Sequence, residues 1–410
     1  MNCGLLGRKL SHSYSPQIHA CLAQYSYSLI EKEPEQLADF LNSGAFTGLN
    51  VTIPYKKDVL PYCAELSESA RKLGAVNTIV RRADGLLIGH NSDYFGFSSM
   101  LLRSGLQVFG KKALVLGSGG ASATAVAVLQ EAGANVIVIS RSGDNNYSNL
   151  HLHKDASLIV NATPVGMYPN VGQTPVDLKN FPHLEGVLDL IYNPARTKLL
   201  LDAEKRGIVA ENGLRMLVAQ AKESAEWFTG KTIPDSVIPQ IHQKLRLQME
   251  NTILIGMPGC GKSTVGKLLA QRLGKFFVDA DTAITQKAGI PIPEIFNRYG
   301  EAEFRRIETA VLEEIGASSG QVIATGGGCV TRPENYSALH QNGTIIWLQR
   351  SIDALPTEGR PLSQSNKLID MYQIREPLYK AFSDIQADNN AHIETTVENI
   401  ISALNTEGSI

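Results

Sequence analysis

The fold of the C-terminal part of the chain is decided by the stretch Thr252-Ile253-Leu254-Ile255-Gly256-Met257-Pro258-Gly259-Cys260-Gly261-Lys262-Ser263. Its first four residues predict a buried strand, and the next eight fit the pattern G-x-x-x-x-G-K-S in full. Glycines in such a turn let backbone N–H groups point at phosphate oxygens, and the positive end of the following helix adds to the attraction. One apolar helical face follows, formed by Val265, Leu268, Leu269 and Leu273. The stretch therefore predicts a nucleoside triphosphate site, with Lys262 on the phosphates and Ser263 on Mg²⁺.

A second glycine-rich turn stands earlier, at Gly117-Ser118-Gly119-Gly120-Ala121-Ser122. It lies between an apolar strand at 113–116 and a helix that ends near Gly133, and another strand follows at 135–139. A βαβ unit that carries this variant of G-x-G-x-x-G predicts a dinucleotide-binding lobe. An acidic residue at the end of the second strand would favour NAD. The chain has Ser140-Arg141 there, and a guanidinium suits the 2′-phosphate of NADP.

Composition narrows the classes of function. The 410 residues correspond to about 2.7 domains at roughly 150 residues each. With 38 basic and 40 acidic residues, the net charge of −2 gives no electrostatic case for nucleic acid or an anionic membrane as a partner. No apolar run is long enough for a membrane helix, and the five cysteines are scattered without metal-ligand spacing. We therefore predict a cytoplasmic protein that acts on small molecules, and its oligomeric state stays open.

Further polar residues follow the phosphate-binding motif. Asp279 and Asp281 stand two apart at the predicted tip of the second strand, so both should face one side. One carboxylate can then serve the metal and the other can accept a hydroxyl proton. Three glycines at 326–328 let a substrate approach the backbone closely. Capture of a small carboxylate is suggested by the arginines at 305, 360 and 375.

On these residues, the segment from 252 to about 405 resembles shikimate kinase. The resemblance implies that Asp281, Arg305, Gly327 and Arg375 hold shikimate, that Asp281 is the base and that Asp279 assists Mg²⁺. It also implies a set of ATP-binding residues: Gly256, Gly259, Cys260, Gly261, Lys262, Ser263, Thr264 and Arg360, the last on a lid. The stretch from Leu348 to Arg360 is shorter than is usual in that family. It offers no arginine between Arg350 and Arg360 to stack on adenine.

The first part of the chain carries motifs of its own. They are Ser11-His12-Ser13-Tyr14-Ser15-Pro16, Gly48-Leu49-Asn50-Val51-Thr52-Ile53-Pro54-Tyr55-Lys56, Gly74-Ala75-Val76-Asn77-Thr78, Asn91-Ser92-Asp93, Asn161-Ala162-Thr163-Pro164-Val165-Gly166-Met167, Asp189-Leu190-Ile191-Tyr192-Asn193-Pro194 and Met216-Leu217-Val218-Ala219-Gln220-Ala221. Together they resemble shikimate dehydrogenase across residues 4 to about 246.

That second resemblance assigns roles to particular residues. It implies that Lys56 and Asp93 form the catalytic pair, because an ammonium beside a carboxylate can stabilise a developing oxyanion and pass it a proton. The implied substrate-binding residues are Ser13, Ser15, Thr52, Asn77, Tyr192 and Gln220. The implied NADP-binding residues are Gly117, Ser118, Gly119, Gly120, Ala121, Ser140, Arg141 and Gly213.

We therefore predict an α/β chain with a two-lobed dehydrogenase, whose NADP lobe is a Rossmann fold, followed by a P-loop kinase domain with a parallel sheet. The predicted boundaries are 1–104 for the substrate-binding lobe, 105–212 for the NADP lobe, 213–248 for helices that return to the substrate lobe and 252–410 for the kinase. The predicted function is bifunctional and belongs to chorismate and aromatic amino acid biosynthesis. NADPH would reduce 3-dehydroshikimate to shikimate, and MgATP would phosphorylate shikimate to shikimate 3-phosphate.

Two alternatives stay open for the function. The dehydrogenase could prefer quinate as substrate, or NAD as cofactor. Alternatively, one half could be a non-catalytic regulatory module that only binds nucleotide. The presence of Lys56, Asp93, Lys262 and Asp281 favours catalysis in both halves. A shared chain does not by itself predict channelling of shikimate between the two sites.

Overall fold

The structure is a computed structural model that describes residues 1–10, 13–355 and 365–406. The chain divides into two compact units. The N-terminal unit comprises Met1–Gly166, Gln173–Tyr192 and Leu199–His242. The C-terminal unit comprises Met167–Gly172, Asn193–Lys198 and Gln243–Ile410. Each unit has its own β-sheet structure and its own apolar core.

The first sheet of the N-terminal unit is mixed, with six strands in the order β2-β1-β3-β5-β6-β4. The strands are β1 (Asn2–Gly7), β2 (Ser26–Glu31), β3 (Gly48–Val51), β4 (Cys63–Leu66), β5 (Thr78–Arg81) and β6 (Leu87–His90). Only β5 pairs antiparallel with its neighbours, β3 and β6. The connecting helices are α1 (Ser15–Leu22), α2 (Leu37–Asn42), α3 (Glu68–Leu73) and α4 (Asp93–Ser104). Leu6, Leu49, Val51 and Ile79 fill the core beneath the sheet.

The second sheet has five parallel strands in the order β11-β10-β9-β7-β8. They are β7 (Lys112–Leu116), β8 (Asn135–Ile139), β9 (Leu158–Asn161), β10 (Gly186–Asp189) and β11 (Val209–Asn212). The helices are α5 (Gly120–Glu131), α6 (Lys198–Lys205) and α7 (Leu214–Thr229). Both faces of β7 are covered, since Val115 and Leu116 belong to different apolar clusters. This double burial explains why the strand is apolar throughout. Helix α7 packs against α1 and α4.

The sheet of the C-terminal unit is also parallel throughout, in the order β13-β14-β12-β15-β16. Its strands are β12 (Asn251–Ile255), β13 (Phe276–Asp279), β14 (Gln321–Ala324), β15 (Gly343–Gln349) and β16 (Ile385–Asp388). Helix α8 (Val237–Met249) runs along the chain from the N-terminal unit into this unit. The other helices of the unit are α9 (Lys262–Leu273), α10 (Ala280–Ala288), α11 (Ile292–Ala317), α12 (Glu334–His340), α13 (Ser365–Phe382) and α14 (Ile393–Thr406). Helix α11 is interrupted at Gly300, which has a φ of 78°. In the described part of the chain, no helix combines the length and apolarity that crossing a bilayer requires.

One local expectation was wrong. Asp279 and Asp281 do not share a strand tip, because β13 ends at Asp279 and Asp281 lies in the first turn of α10. The carboxylate of Asp279 accepts the backbone N–H groups of Asp281 and Thr282 at 3.1 and 3.3 Å. An aspartate that accepts these orphan donors starts a helix. The strand is therefore two residues shorter than the sequence pattern suggested.

Candidate active sites

Lys56 and Asp93 form an ion pair in the N-terminal unit. Lys56 lies in the turn that follows β3, and Asp93 is the first residue of α4. The distance from Lys56 Nζ to Asp93 Oδ2 is 2.5 Å, and the side chains are only 26% and 13% exposed. The positive end of the α4 dipole lies at this carboxylate. The pair therefore presents a fixed ammonium that can donate to an oxygen on a bound substrate.

Asn77 and Gln220 are held beside this pair by the turn that precedes α4. The Asn77 Oδ1 atom accepts the Ser92 backbone N–H at 2.8 Å and the Ser92 hydroxyl at 3.2 Å. The same hydroxyl donates to Gln220 Oε1 at 3.4 Å. Because its carbonyl oxygen is occupied, Asn77 is oriented with its amide nitrogen available as a donor. Ser92, one residue before Asp93, thus connects two residues predicted to bind substrate.

The other predicted substrate-binding residues lie in separate elements of the same unit. Ser13 accepts the backbone N–H of Ser15 at 3.2 Å, at the start of α1. Thr52 follows β3, and its backbone N–H donates to Leu6 O at 2.9 Å. The ring of Tyr192 packs edge-on against Tyr14, with centroids 6.3 Å apart. Within the described residues, no hydrogen bond joins these side chains to the Lys56–Asp93 pair, so their contacts with substrate stay a prediction.

Two residues of this site were missed from the sequence, Asn50 and Ser224. The Ser224 hydroxyl lies 2.8 Å from Asn50 Nδ2, 2.8 Å from Thr78 Oγ1 and 2.9 Å from Ser92 Oγ. It also donates to Gln220 O at 2.9 Å, one turn earlier on α7. An asparagine inside the fully buried strand β3 was a usable signal, because a buried amide needs hydrogen-bond partners. For Ser224 the sequence offered a weaker signal, its spacing of one helical turn from the predicted substrate-binding residue Gln220.

The glycine-rich turn between β7 and α5 is open to a ligand. At Gly119 and Gly120, an added Cβ would meet no atom within 4 Å. Gly117 has a φ of +109°, and a Cβ there would lie 3.0 Å from Ala162 O. Ser122 replaces the third glycine of the motif, and its buried hydroxyl donates to Gly117 O at 2.7 Å, which closes the turn. The turn therefore leaves backbone amides free at a helix N-terminus, as a pyrophosphate requires.

The remaining predicted NADP-binding residues differ in what surrounds them. Ser118 and Ala121 belong to the glycine-rich turn itself. Ser140 follows β8 directly, and Arg141 beside it is exposed. Gly213 precedes α7, and any Cβ there would collide with the carbonyl oxygen of Leu190. Glycine at 213 is therefore required by packing, whether or not it also touches a cofactor.

In the C-terminal unit, the phosphate-binding loop connects β12 to α9. Lys262 is buried, and its Nζ donates to Gly256 O at 2.9 Å and Met257 O at 3.0 Å. Ser263 Oγ donates to Asp279 Oδ2 at 2.7 Å. A hydroxyl next to a carboxylate fits Mg²⁺, which binds few protein oxygens and completes its octahedron with waters and phosphates. Among the described residues no group of three acidic, histidine or cysteine side chains could hold a metal.

The remaining residues predicted to bind ATP lie along the loop and the start of α9. Gly259 and Gly261 have positive φ angles of 85° and 98°, conformations that favour glycine. Cys260 is buried, and its carbonyl oxygen accepts Asn389 Nδ2 at 2.7 Å. Thr264 is exposed in the first turn of α9. The predicted lid residue Arg360 lies outside the described residues.

The three glycines after β14 each face a different neighbour. A Cβ on Gly326 would lie 2.8 Å from Glu308 Oε1 and 3.2 Å from Asp281 Oδ1. A Cβ on Gly327 would lie 2.7 Å from Pro258 of the phosphate-binding loop. A Cβ on Gly328 would collide with the guanidinium of Arg305. These three residues, here called the glycine strip, therefore lie where Asp281, Arg305 and the phosphate-binding loop come together.

Arg305 and Arg375 approach the glycine strip from two helices. Arg305 Nη1 donates to Glu308 Oε2 at 2.7 Å, and burial raises the pKa of Glu308 above its usual value. Arg375 Nη1 donates to Gly327 O at 3.1 Å. The sequence did not assign a role to Glu308 or to Tyr379, whose hydroxyl donates to the same Gly327 oxygen at 2.5 Å. Two guanidinium groups at one strip of backbone form a site for a small anion.

The N-terminal unit thus has the fold and polar groups of a dinucleotide-dependent dehydrogenase, and the C-terminal unit those of a P-loop phosphotransferase. Comparison with family models gives the particular assignment. The shikimate dehydrogenase substrate binding domain matches residues 5–79, and shikimate kinase matches residues 258–405. The chain belongs to the shikimate dehydrogenase family and carries a shikimate kinase domain at its C-terminal end. It is a bifunctional enzyme of the shikimate pathway.

Individual relatives cover the N-terminal part. The shikimate dehydrogenase (NADP(+)) of Caldicellulosiruptor bescii is 38% identical over 256 residues, which are 55% of this chain and 88% of that protein. A chorismate mutase/shikimate 5-dehydrogenase fusion protein from Clostridium acetobutylicum is 36% identical, with a TM-score of 0.57 over 60% of this chain and 96% of that one. Quinate dehydrogenase from Corynebacterium glutamicum in complex with NAD is 28% identical, with a TM-score of 0.54 over 58% and 96%. Together with the two family matches, these relatives confirm the predicted fold class and both predicted activities.

Proposed function

We propose that the two units act in sequence on one oxygen atom. The N-terminal unit reduces 3-dehydroshikimate to shikimate with NADPH, and the C-terminal unit transfers a phosphoryl group from MgATP to the new hydroxyl. The observation that carries this proposal is the 2.5 Å Lys56–Asp93 pair in a chain that also holds a complete phosphate-binding loop. The product would be shikimate 3-phosphate.

In the reduction, bound NADPH would supply the hydride to the carbonyl carbon. Negative charge then develops on the carbonyl oxygen, and the Lys56 ammonium stabilises it and donates a proton to it. Asp93 holds Lys56 in position through their hydrogen bond, and the partial exposure of Lys56 lets solvent restore its proton. Asn77 and Gln220 would orient the substrate ring through their amide groups.

The cofactor preference rests on Arg141, which would contact the 2′-phosphate of NADP. Relatives named for NADP(+) support this assignment, and the NAD complex of the quinate dehydrogenase neighbour keeps the alternative of NAD and quinate open. The measurement is kcat/KM with NADPH and NADH for the wild type and Arg141→Asp. A preference for NADPH that falls in the variant is expected. Equal efficiency with both cofactors would contradict the NADP assignment.

In the phosphorylation, Arg305, Arg375 and the Gly327 backbone would hold shikimate. Asp281 would accept the hydroxyl proton as the oxygen attacks, since its Oδ1 lies beside the glycine strip. Ser263 and Asp279 would hold Mg²⁺, which neutralises phosphate charge when it is bound. Lys262 would exchange its contacts with Gly256 and Met257 for the phosphates, and Arg360 would reach the transferring group.

The proposed function extends to the domain boundaries, the cellular location and the partners of the chain. We retain the boundaries 1–104, 105–212, 213–248 and 252–410 as the proposed functional segments. We also propose that both reactions occur in the cytoplasm on free small molecules, without nucleic acid or membrane as a partner. The oligomeric state is left open.

A coupled assay tests the proposal. The full chain is given 3-dehydroshikimate, NADPH and MgATP, and the formation of shikimate 3-phosphate is measured together with each single reaction. Lys56→Ala should lower the reduction by about 10²–10⁴-fold and spare the kinase. Lys262→Ala should do the reverse, and the exposed neighbour Lys57→Ala should change neither. A wild type that lacks one reaction would instead support the alternative of a non-catalytic regulatory half.

A further inference from the structure

Arg350 lies directly after β15, beside the phosphate-binding loop. Its Nη1 is 3.9 Å from the point that a Cβ on Gly261 would occupy. Asn389, which follows β16, has its Nδ2 2.8 Å from the same point. Because β12, β15 and β16 are parallel neighbours, all three residues lie at the carboxyl ends of adjacent strands. Ligands of open α/β sheets bind at this edge.

The guanidinium of Arg350 has unused hydrogen-bonding capacity. Its Nε is buried and has no hydrogen-bond partner. Other partly buried arginines of this unit are matched by carboxylates, as Arg246 is by Glu250 and Arg305 is by Glu308. Across the described residues, no carboxylate forms an ion pair with Arg350. A buried donor on a permanent cation, left without an acceptor, points to a missing anionic ligand.

Hydrogen bonds hold the residues around Arg350 in place. The backbone N–H and the hydroxyl of Ser351 both donate to Asn390 Oδ1 at 2.9 Å, which ties the residue after Arg350 to the end of β16. Asn389 is buried and donates to Cys260 O, so this loop carbonyl is already occupied by a donor. These hydrogen bonds hold the segments after β15 and β16 in place beside the phosphate-binding loop. The Arg350 guanidinium lies near Gly261.

We propose that Arg350 is a nucleotide-binding residue whose guanidinium contacts the phosphate chain of ATP where the chain passes Gly261. The proposal rests on the proposed kinase function. Gly261 caps the N-terminus of α9, and the backbone amides that follow it attract phosphate oxygens. A guanidinium adds two parallel donors to such oxygens, which favours a phosphate contact over a contact with the base.

The test compares Arg350→Ala and Arg350→Lys in the full chain, with the exposed Arg272→Ala on the distal end of α9 as the matched control. Calorimetry measures the Kd of ATP and of inorganic tripolyphosphate, and steady-state assays give KM for ATP and for shikimate. We expect Arg350→Ala to weaken both ligands about tenfold and Arg350→Lys to recover part of the loss. The KM for shikimate and the NADPH-dependent reduction should not change, and the latter shows that the variants are folded.

The outcomes separate the two hypotheses. Weaker ATP binding with unaltered tripolyphosphate binding would overturn the phosphate contact and assign Arg350 to the base. Unaltered binding of both ligands would overturn any role in nucleotide binding. A wild type that binds ATP through Arg350 but does not phosphorylate shikimate would contradict the proposed function and leave the inference standing.

Discussion

The hydroxyl of Ser224 illustrates how a single residue can position a substrate-binding site. It bonds to Asn50, Thr78, Ser92 and the backbone of Gln220, and so links α7 to β3, β5 and the start of α4. Removal of the hydroxyl leaves buried polar groups short of a partner and frees Asn77 and Gln220 to move.

We predict that Ser224→Ala raises the KM for 3-dehydroshikimate about five- to tenfold, with kcat and the KM for NADPH changed much less. Steady-state kinetics measure this split. The matched control is Ser98→Ala, because Ser98 is a helix serine whose hydroxyl donates to the Tyr94 carbonyl oxygen, one turn earlier on α4, at 2.8 Å. Equal changes in both variants would mean that Ser224 serves stability alone.

Tyr379 has a corresponding position in the kinase unit. Its buried hydroxyl and Arg375 share the Gly327 carbonyl oxygen as acceptor. We predict that Tyr379→Phe raises the KM for shikimate about fivefold, as expected for one lost hydrogen bond, and leaves the KM for ATP unchanged. Tyr372→Phe on the same helix is the control, since its hydroxyl donates to Glu376 Oε1, one turn later on α13, at 3.1 Å. A rise in the KM for ATP of similar size would argue against a specific effect on the glycine strip.

At this scale, the sequence predicted the residues that stand in short motifs. The sequence motifs predict that Lys56 and Asp93 form a pair, and the structure places them in contact. Ser224 could not be found in the same way, because its partner Asn50 is 174 positions away and serine is common on helices. The unpaired Nε donor of Arg350 could not be predicted from the sequence either, because it depends on how the ends of β12, β15 and β16 lie together in the sheet.

Helix α1 carries a buried histidine, His19, that should make the free energy of unfolding depend on pH. His19 Nδ1 lies 2.6 Å from the Tyr25 hydroxyl, and its ring stacks on Tyr27 with centroids 4.0 Å apart. Burial lowers the pKa of His19 to about 3. An unfolded histidine has a pKa of about 6.5, so between these values the unfolded chain binds a proton that the folded chain does not.

The stability of the N-terminal unit should therefore fall as the pH decreases from about 6.5 toward 3, by up to about 1.4 kcal/mol per pH unit from this group. His19→Gln should flatten the slope, even if its stability at neutral pH is lower. The pH dependence of the free energy of unfolding is measured by denaturant titration, followed by Trp227 fluorescence. The chain has two tryptophans, so the measurement is made in a Trp347→Phe background that leaves Trp227 as the reporter. The control is the exposed His151→Gln, and an identical slope in all three proteins would contradict the prediction.

Element prediction succeeded where periodicity and turn chemistry agreed. The strand–glycine turn–helix units at β7–α5 and β12–α9 were placed within a residue or two, since buried parallel strands are apolar throughout. It failed at Asp279-Ala280-Asp281, where alternation suggested a strand and the capping carboxylate of Asp279 started a helix. The interruption of α11 at Gly300 was also not foreseen, because one glycine in a long amphipathic pattern leaves the periodicity intact.

For the whole molecule, two compact units with separate cores predict two separable stabilities. NADPH should stabilise only the N-terminal unit, and ATP with Mg²⁺ only the C-terminal unit. At a ligand concentration of 100 times Kd the gain is about 2.7 kcal/mol. Trp227 and Trp347 report on one unit each, and single-tryptophan variants measure the two transitions. Equal shifts of both transitions with either ligand would show that the units unfold together.

The sequence predicted this organisation in outline. Length and two phosphate-binding motifs indicated two enzymes, and the order of strands in each sheet required the structure. Segments 167–172 and 193–198 belong to the C-terminal compact unit although they precede residue 200. No local pattern announced this, because it depends on contacts between residues that are distant in the chain.

The glycine strip at 326–328 has a consequence for genetics. Each glycine excludes a side chain for a different reason, so second-site suppressors should map to different places. Suppressors of Gly327→Ala should fall on Pro258, and those of Gly328→Ala on Arg305 or the glutamates that hold it. Suppressors of Gly326→Ala should fall on Glu308. Three neighbouring codons would then report separately on the phosphate-binding loop, the arginine and the buried carboxylate.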